Sequence, residues 1–357
     1  MTQISVLVPV YNTSQYLREC LDSIIQQTFT DIEIICVNDC STDNSQNILE
    51  EYAKKDSRIK VYINDVNVGS SITRNVLLSK ATAPFIMWCD SDDYYMPNIC
   101  STMYFHINEQ NVDMVDCGIY YEKHLGVLKC QNYGKLMLQS TNNGYYSTIN
   151  SRSMCNKIYK KELIDKFNIS LPNLRTSEDV AFNIMYMMVA KSLYYCGDVL
   201  YFYRYNSNSI TSSYDGNKIN QLKSLYQIDI YDNHFAFMPQ LLQFAKDNNL
   251  FKNHHDKLLQ LLITLAFFFF SRCKEDYTEA LIKINALLSQ LDYTNATDNL
   301  SSSEQRLLKM IVNNESSKIK KKFHPSWLKR NIRIKLSVKS KELYIQLCKF
   351  KLSFSYN

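Results

Sequence analysis

Three aspartates follow a short apolar run in the first third of the chain. Residues 85–89 are Phe-Ile-Met-Trp-Cys, and Asp90, Asp92 and Asp93 come directly after them. Because side chains alternate along an extended strand, we expect Asp90 and Asp92 to point the same way. Two such carboxylates repel each other unless a cation or a proton lies between them, and Mg²⁺ or Mn²⁺ held this way keeps open positions for substrate phosphates. The run also allows another interpretation, a strand end with solvated acids in which Asp93 caps the next helix.

Strands and helices alternate over the first hundred residues. The apolar runs typical of buried strands are 4–10, 32–37, 59–63 and 84–88. Apolar residues at helical spacing lie between these runs, and repeated strand–helix–strand units form a parallel sheet with helices on both faces. Ligands of such sheets bind outside the carboxyl ends of the strands. We therefore expect three polar clusters to converge on one crevice: residues 9–12, 38–41 and 90–93.

Length and composition limit the class of protein. A chain of 357 residues with 46% hydrophobic residues can bury a large core and is expected to hold two or three domains. Its 11 cysteines include no CxxC pair, which favours a reducing compartment over a disulfide framework or a zinc site. No G-x-G-x-x-G and no Walker loop occurs, so dinucleotide-binding and P-loop classes fit poorly. The chain starts without a signal-peptide pattern, and a cytoplasmic location is expected.

The signals are more mixed after about residue 105. Strands are predicted over 112–121, 192–196 and 199–203, and helices over 160–167 and 178–188. From about residue 216 the pattern is helical to the end, with a polar linker near 294–303. The apolar stretch 258–270 is shorter than the roughly 20 residues that span a bilayer, so it predicts a buried helix.

The last 40 residues are strongly basic. Residues 318–357 contain 12 Lys and Arg and one acid, Glu342, whereas the whole chain carries a formal charge of +5. Aromatic and aliphatic residues are interleaved with these cations, as in segments that bind the surface of an anionic membrane. Charge alone would also allow a nucleic-acid partner or a plain solvated end. We expect membrane association on the inner face of the cytoplasmic membrane, and no nucleic acid.

Seven short motifs, taken in order, resemble those of the family 2 glycosyltransferases of the GT-A fold. Each motif is weak alone, but their order and separation over residues 3–212 make the resemblance specific. The motifs are residues 8–12 (VPVYN), 37–43 (VNDCSTD), 67–75 (NVGSSITRN), 90–93 (DSDD), 156–159 (NKIY), 177–179 (SED) and 203–211 (YRYNSNSIT).

The resemblance implies a fold and a reaction. The fold would be α/β, with a mostly parallel GT-A domain over 1–215 and a helical C-terminal region over 216–357 that ends in the basic tail. Within the first domain, 1–105 would bind the nucleotide sugar and 106–215 the acceptor. The reaction would be inverting transfer of a sugar from a nucleotide sugar, most often a UDP-sugar, to a glycan or lipid-linked acceptor of the bacterial cell surface. A divalent ion and a cation would stabilise the diphosphate leaving group, and a carboxylate would act as base.

The resemblance also assigns roles on the donor side. Asp90 and Asp92 would hold the ribose and a Mn²⁺ or Mg²⁺ ion, with Asp92 the more direct metal ligand. Arg74 would lie near the ribose or the phosphates, and Arg204 and Ser209 over the diphosphate. The full set of donor-binding residues implied is Pro9, Tyr11, Asp39, Asn67, Arg74, Asp90, Ser91, Arg204 and Ser209.

On the acceptor side, the resemblance makes Asp179 the catalytic base, with Glu178 shaping the acceptor site. Asn156 and Lys157 would contact the acceptor. Structural interpretations stay open for these residues, because Glu178 and Asp179 could complement a helix dipole, and Asn156-Lys157 could form a turn before a helix. Tyr11 could likewise be packing at a strand end, and Arg204 a surface arginine.

Several positions depart from the family pattern. In the second motif, Asn38 stands where the family usually has an acid, and Cys40 stands where it usually has a glycine after Asp39. Thr73 replaces a small residue, and Cys155 replaces an aromatic one. The histidine that many relatives use as a metal ligand is missing after the Tyr-Arg pair, where Asn206 lies nearby.

Two other function classes share some of these features. A sugar nucleotidyltransferase also places an acid pair on an α/β sheet, but it would need a glycine-rich basic loop directly after the first strand. A non-catalytic adaptor with a transferase fold would have little reason to keep Asp39, Asp90, Asp92 and Asp179 together.

Overall fold

The computed structural model describes most of the chain, in several ranges. The described residues are 2–123, 127–131, 135–139, 153–174, 177–206, 235–272, 278–291, 300, 302–323, 332–334, 342–347 and 350–355. The chain divides into two compact units. The first unit comprises Met1–Thr141 and Thr148–Gln227, and the second comprises Asn142–Ser147 and Ile228–Asn357. The boundary predicted after residue 215 falls outside the described residues.

The first unit is built on a mixed sheet of ten strands in the described part of the chain. The strands are β1 (Ile4–Val10), β2 (Ile32–Asn38), β3 (Ile59–Ile63), β4 (Phe85–Trp88), β5 (Tyr94–Tyr95), β6 (Met114–Lys123), β7 (Val127–Gln131), β8 (Lys135–Gln139), β9 (Lys157–Lys160) and β10 (Ser192–Tyr203). The helices are α1 (Ser14–Ile25), α2 (Ser45–Lys55), α3 (Ser70–Lys80), α4 (Ile99–Glu109), α5 (Lys161–Lys166) and α6 (Glu178–Val189). The α/β class predicted from the sequence is confirmed.

Four parallel strands form one half of this sheet, in the order β3-β2-β1-β4. All seven residues of β2 and six of the seven in β1 are buried. Val, Ile and Leu occupy most positions of these two strands, which suits strands that are covered on both faces. The four strands predicted here are confirmed, each to within one residue at either end. Their carboxyl ends meet at one edge of the sheet, which is where the polar clusters follow.

The other half of the sheet is mixed. Strand β9 lies between β4 and β6 and runs antiparallel to both, while β10 runs parallel to β6. The sequence did not predict β9, because its four residues fit a turn equally well. The strands predicted separately at 192–196 and 199–203 are one strand, β10. This strand is irregular between the two predicted segments, where Gly197 has a φ of 81° and the register with β6 shifts beyond Tyr195.

A buried carboxylate joins the amino-terminal halves of the parallel strands. Glu33 of β2 lies opposite Ser5 of β1 and is 3% exposed. Its Oε1 accepts hydrogen bonds from the Ser5 hydroxyl at 2.5 Å and from the Thr82 amide at 2.8 Å, and its Oε2 accepts from Lys60 at 2.7 Å. The carboxylate therefore ties three strands to the turn that leads into β4.

The second unit is mainly helical up to residue 323. Its helices are α7 (Met238–Asp247), α8 (Phe251–Arg272), α9 (Thr278–Leu288), α10 (Ser302–Val312) and α11 (Ser316–Phe323). Helix α8 contains the stretch predicted to be a buried helix, and Leu258, Leu262 and Ala266 are fully buried there. Among the described residues no helix combines the length and apolarity needed to cross a membrane.

The helical prediction is wrong for the last part of the chain. Strands β11 (Ile332–Ile334), β12 (Glu342–Leu347) and β13 (Phe350–Ser355) form an antiparallel sheet in that order. Apolar residues occupy every second position in all three segments, which is the period of a strand. The helical interpretation missed this because the basic residues between them obscure the short period.

The Glu33 cluster generates a prediction about stability. The pKa of Glu33 is lowered to about 2: burial alone would raise it, but donation from Lys60, Ser5 and Thr82 outweighs burial. A carboxyl group with a lowered folded-state pKa stabilises the fold above its unfolded value and loses that effect as the pH falls toward the folded value. We expect Glu33→Gln to lower the free energy of unfolding at pH 7 by about 2 kcal/mol. The difference should shrink between about pH 5 and pH 3, measured by urea unfolding.

The matched control is Glu109→Gln, since Glu109 is exposed at the end of α4. This change should alter the free energy of unfolding by no more than about 0.5 kcal/mol. An equal loss of stability in Glu33→Gln at pH 7 and at pH 3 would contradict the assignment.

Candidate functional site

The three polar clusters at the carboxyl ends of the parallel strands contact one another, as predicted. The backbone N–H of Asn12 donates to the Ser41 hydroxyl at 3.0 Å, and the Asn12 side chain accepts from the Thr42 N–H at 2.8 Å. The Thr13 hydroxyl donates to Ser91 Oγ at 2.9 Å, which joins the first cluster to the third. Ser91 is 4% exposed. Hydrogen bonds therefore connect the loops that follow β1, β2 and β4.

Left-handed backbone conformations make these tight turns possible. Asn12 has a φ of 52°, and Cys40 has a φ of 57°. Asparagine tolerates this region better than most residues, whereas glycine adopts it without strain. The conformation of Cys40 explains why a glycine is usual at this position in the resembling family.

Asp39 holds the loop that leads into α3. Asp39 is 3% exposed. Oδ1 accepts from the Asn64 side chain at 2.8 Å and from the Val68 N–H at 2.9 Å, and Oδ2 accepts from the Gly69 N–H at 2.9 Å. Gly69 has a φ of 86°, so its amide can turn toward the carboxylate at little steric cost. Contact between Asp39 and a nucleotide stays a prediction.

Arg74 of α3 joins two acids from distant parts of the chain. Its Nη2 donates to Asp90 Oδ1 at 2.8 Å, and its Nη1 donates to Glu178 Oε1 at 2.7 Å. The Ser70 hydroxyl donates to the same Glu178 oxygen at 2.9 Å. The Arg74 side chain is 13% exposed, and its pKa is raised: burial alone would lower it, but the charges of Asp90 and Glu178 outweigh burial. One guanidinium therefore links the acid run after β4 to the start of α6.

The acid run after β4 forms a turn and not the extended strand that the sequence suggested. Strand β4 ends at Trp88, and the Asp93 N–H donates to the Asp90 carbonyl at 3.0 Å. Asp90 and Asp92 nevertheless remain close enough to interact electrostatically. Burial raises the pKa of Asp92, and the charge of Asp90 raises it further. Asp92 Oδ2 accepts from the Asn206 side chain at 3.0 Å.

Asp93 has a structural role that excludes the helix-cap interpretation. It is 2% exposed, and its Oδ2 accepts from the Tyr201 hydroxyl at 2.5 Å while Oδ1 accepts from the Arg204 N–H at 2.9 Å. Burial raises the pKa of Asp93, and the charges of Asp92 and Asp90 add to this effect. Asp93 thus ties the acid turn to the end of β10.

The acids of this turn fit a divalent cation that takes further ligands from substrate. Asp90 and Asp92 offer hard carboxylate oxygens, and burial together with the charge of Asp90 raises the pKa of Asp92, an effect that a bound cation would oppose. Within the described residues no group of three or more His, Cys, Asp or Glu could hold a metal. Mg²⁺ and Mn²⁺ bound by one or two carboxylates and substrate phosphates require no larger protein cage.

Asp179 is the residue predicted to act as the base, and this role stays a prediction. It lies in the first turn of α6, partly exposed, and the Val180 N–H donates to it at 2.7 Å. Its pKa is raised to about 6, first by burial and then by the neighbouring Glu178, while Arg74 lowers it. A carboxylate with this pKa is ionised at neutral pH yet basic enough to accept a proton.

Arg204 is held beside the acid turn and does not stand free over it. Its Nε donates to the Asp92 carbonyl at 2.9 Å, and its Nη2 donates to Glu19 at 2.6 Å. The guanidinium also lies 5.2 Å from the ring centroid of Tyr16 and 5.3 Å from that of Tyr94. These contacts correct the interpretation as an unengaged surface arginine. The predicted contact with a diphosphate stays a prediction.

Asn156 and Lys157 are buried, at 0% and 2% exposure. The Lys157 ammonium donates to the Ser153 carbonyl at 2.7 Å and lies 3.1 Å from Asp116 Oδ2, and the Asn156 amide donates to Asp116 and to the Cys117 carbonyl. Burial raises the pKa of Asp116 to about 6, although Lys157 opposes this shift. These polar groups join the start of β9 to β6 inside the sheet, and contact with an acceptor stays a prediction.

The remaining predicted residues differ in exposure. Tyr11 is 47% exposed and Asn67 is also exposed, so both side chains are available to a ligand. Pro9 is partly exposed, opposite Val37 in the sheet. Ser209 lies outside the described residues.

Sequence reasoning missed two residues of this region. Tyr201 is fully buried, and its hydroxyl bonds Asp93 and accepts from the Asp90 N–H at 3.4 Å. Ser70 supports Glu178. Tyr201 could have been found from strand alternation, since it lies two residues before Tyr203 of the Tyr-Arg motif. Ser70 carried no such signal.

Comparison with known proteins was made at the level of family, sequence and structure. The family described as Glycosyl transferase family 2 matches residues 5–167. The glycosyltransferase GlyG of Streptococcus pneumoniae is 33% identical over 219 residues, which cover 58% of this chain and 72% of GlyG. The poly(ribitol-phosphate) beta-N-acetylglucosaminyltransferase TarS of Staphylococcus aureus is 30% identical over 211 residues, 57% of this chain and 35% of TarS.

Solved structures show a shared fold. A crystal structure of residues 1–349 of S. aureus TarS in complex with UDP-GlcNAc superposes with a TM-score of 0.59, 21% identity and 99% coverage of both chains. At this identity the likeness concerns the fold alone.

The link between Arg74 and the acids generates a prediction about Asp179. Because the charge of Arg74 lowers the pKa of Asp179, Arg74→Met should raise it above about 6, by roughly one unit. Arg74→Lys retains the charge and should leave the pKa closer to its original value. The pKa of Asp179 in each variant can be measured by carbon NMR titration of protein labelled at aspartate. The signal that is missing from the spectrum of Asp179→Asn identifies Asp179. An unchanged pKa in Arg74→Met would show that Arg74 does not act on the carboxyl.

Proposed function

This chain belongs to glycosyl transferase family 2 and is a glycosyltransferase with a GT-A fold, and we propose that it transfers a sugar from a UDP-sugar to a hydroxyl of a bacterial surface glycan or lipid-linked acceptor. The observation that carries the proposal is the Arg74 link. The Arg74 guanidinium forms ion pairs with both Asp90 and Glu178. It thereby joins the acids assigned to the nucleotide sugar to those assigned to the acceptor.

The choice of donor rests on the relatives. Structures of TarS contain UDP and UDP-GlcNAc, and TarS is named as an N-acetylglucosaminyltransferase. Another relative, from Bacillus spizizenii, is a poly(ribitol-phosphate) beta-glucosyltransferase. UDP-N-acetylglucosamine and UDP-glucose are therefore the donors to test first. The exposed Tyr11, the buried Asp39 and the exposed Asn67 are the residues we assign to the nucleotide.

The proposed reaction is a single in-line displacement with inversion at the anomeric carbon. Asp179 takes the proton of the acceptor hydroxyl, the acceptor oxygen forms the new bond to the anomeric carbon, and the diphosphate leaves with the electron pair of the broken bond. Glu178, which directly precedes Asp179 in the chain, is held by Arg74 and Ser70. This arrangement would hold the base in one position, and a base held in the correct orientation increases the rate of the reaction.

Asp90 and Asp92 would hold a Mn²⁺ or Mg²⁺ ion in this proposal. When bound, the ion supplies positive charge to the departing diphosphate. Asn206 donates to Asp92 and helps to orient that carboxylate. Arg204 holds the backbone of the same turn and so keeps the acid pair in place.

The function is tested with a panel of nucleotide sugars in the presence of Mn²⁺. We expect slow release of UDP from at least one UDP-sugar, with water as acceptor, and loss of that release on addition of EDTA. Recovery of turnover when Mn²⁺ is added back is the control, because it excludes non-specific inhibition by the chelator. Should no nucleotide sugar in the panel bind or turn over, the proposed function fails.

The base is tested with Asp179→Asn. This change removes the proton acceptor but keeps the shape of the side chain, so turnover should fall by about 10²–10⁴-fold while UDP binding, measured by calorimetry, stays within a few-fold. Wild-type turnover should also decline below about pH 6, where Asp179 becomes protonated. Asp31→Asn, an exposed residue directly before β2, is the matched control and should retain full turnover. Full turnover in Asp179→Asn would refute the assignment.

A further part of the proposal concerns the basic residues after 318. Their excess positive charge, interleaved with apolar residues, suits the anionic inner face of the cytoplasmic membrane. An enzyme that extends lipid-linked acceptors would be held beside them there. Two relatives are named for a polymeric acceptor, poly(ribitol-phosphate).

Removal of residues 324–357 tests the membrane proposal and spares α11, whose Ile319 is fully buried. The truncated enzyme should lose most of its binding to vesicles of anionic phospholipid, because each cation near such a surface contributes about 1 kcal/mol. Its turnover of soluble donor should persist. Sedimentation with anionic and with neutral vesicles gives the measurement, and undiminished binding to the anionic vesicles would be the contrary result.

A further inference from the structure

Helix α3 carries two polar side chains that the proposed chemistry does not use. Asn75 forms a two-way contact with one residue of a distant segment. Its Nδ2 donates to the Leu171 carbonyl at 2.8 Å, and its Oδ1 accepts from the Leu171 N–H at 2.8 Å. The side-chain amide therefore satisfies both backbone groups of Leu171, as a neighbouring strand would.

Ser71 repeats this pattern one turn earlier. Its hydroxyl donates to the Leu174 carbonyl at 2.8 Å and receives the Leu174 N–H at 3.3 Å. Ser71 is 2% exposed. Because residues four apart lie on the same face of a helix, Ser71 and Asn75 act on neighbouring parts of one segment.

The segment they hold leads directly to the acid pair. Leu171 and Leu174 precede Glu178 and Asp179, and neither belongs to a helix or a strand. Leu171 is 2% exposed, so its N–H and C=O would lack water as well as regular backbone partners if Asn75 were removed. The position of this segment is therefore set by side chains of α3.

Helix α3 is itself fixed to the sheet. Asp39 accepts the amides of Val68 and Gly69 at the amino end of the helix. From that end, Ser70 and Arg74 reach Glu178, and Ser71 and Asn75 reach the segment before it. One face of the helix thus connects the nucleotide side of the fold to the acceptor side.

We propose that Asn75 and Ser71 are positioning residues, which clamp residues 171–174 to α3 and thereby hold Asp179 at the distance from Asp90 that transfer requires. This inference rests on the proposed role of Asp179 as base. Asn75 and Ser71 touch neither substrate in this view. Their effect reaches the reaction through the backbone of the clamped segment.

The clamp should act on turnover more than on donor binding. Asp39, Asp90 and Asp92 belong to other elements and keep their own contacts when Leu171 is released. A displacement of about 1 Å at a catalytic group costs on the order of 10²-fold in rate. A change at Asn75 that merely weakened the fold would lower the melting temperature without lowering kcat per folded molecule.

The first measurement is hydrogen exchange, which needs no substrate. Asn75→Ala should accelerate exchange of amides in the segment 168–180 by about 10-fold or more, while β2 stays protected. Asn108→Ala is the matched control, because Asn108 is exposed on α4 and its amide donates to the Tyr104 carbonyl within the same helix. Ser71→Ala is the smaller second variant, should Asn75→Ala not fold. Unchanged exchange in the segment in the variant that folds would overturn the clamp.

The second measurement separates the clamp from the function. Asn75→Ala should lower kcat for UDP release about 10- to 100-fold with donor KM within about 3-fold, and Asn108→Ala should leave both unchanged. Added to Asp179→Asn, the Asn75 change should cause little further loss, since both act through one carboxylate.

Three outcomes are decisive. Full kcat in Asn75→Ala, with turnover lost in Asp179→Asn, overturns the clamp and leaves the proposed function intact. If the loss of kcat in the double variant equals the product of the losses in the two single variants, Asn75 does not act through Asp179. Full turnover in Asp179→Asn defeats the proposed base itself, whatever Asn75 does.

Discussion

The guanidinium of Arg74 balances two carboxylates that the fold brings together. Asp90 and Glu178 come from the end of a strand and the start of a helix, and both raise the pKa of Asp179 while the charge of Arg74 opposes them. A planar guanidinium can donate to both at once through separate nitrogens, which a lysine ammonium on a flexible chain does less well. Both acids compensate the buried charge of Arg74. The remaining contacts of the site are arranged around this balance.

The parallel half of the sheet explains why the balance falls where it does. Strands covered on both faces leave only their ends for polar groups, so Asp39, Asp90 and their neighbours collect at one edge. Their turns are closed by hydrogen bonds between clusters and by left-handed residues such as Asn12 and Cys40. Arg204 and Tyr201 then fix the acid turn from the far side of the sheet. Support from several elements gives the carboxylates defined positions.

The parallel strands and the acid clusters could be predicted because their signals are local. Continuous apolar runs predict buried strands, and motif order predicts which ends carry polar groups. Other features could not be found this way. Strand β9 is four residues long and takes its place only between β4 and β6, and the contact of Lys157 with Asp116 has no local sequence signal. Strands β11–β13 were obscured by interleaved cations, and the acid run proved to be a turn.

The sequence alone determined the family, the α/β class and the residue types that the chemistry needs, because these depend on composition, period and order along the chain. Only the tertiary structure decided which charges meet. Arg74 lies 16 residues before Asp90 and 104 before Glu178, and no local pattern carries such a pairing. The same holds for Asn75 and Leu171. Contacts of this range depend on how helices pack on the sheet, and that packing is the joint result of many side chains at once.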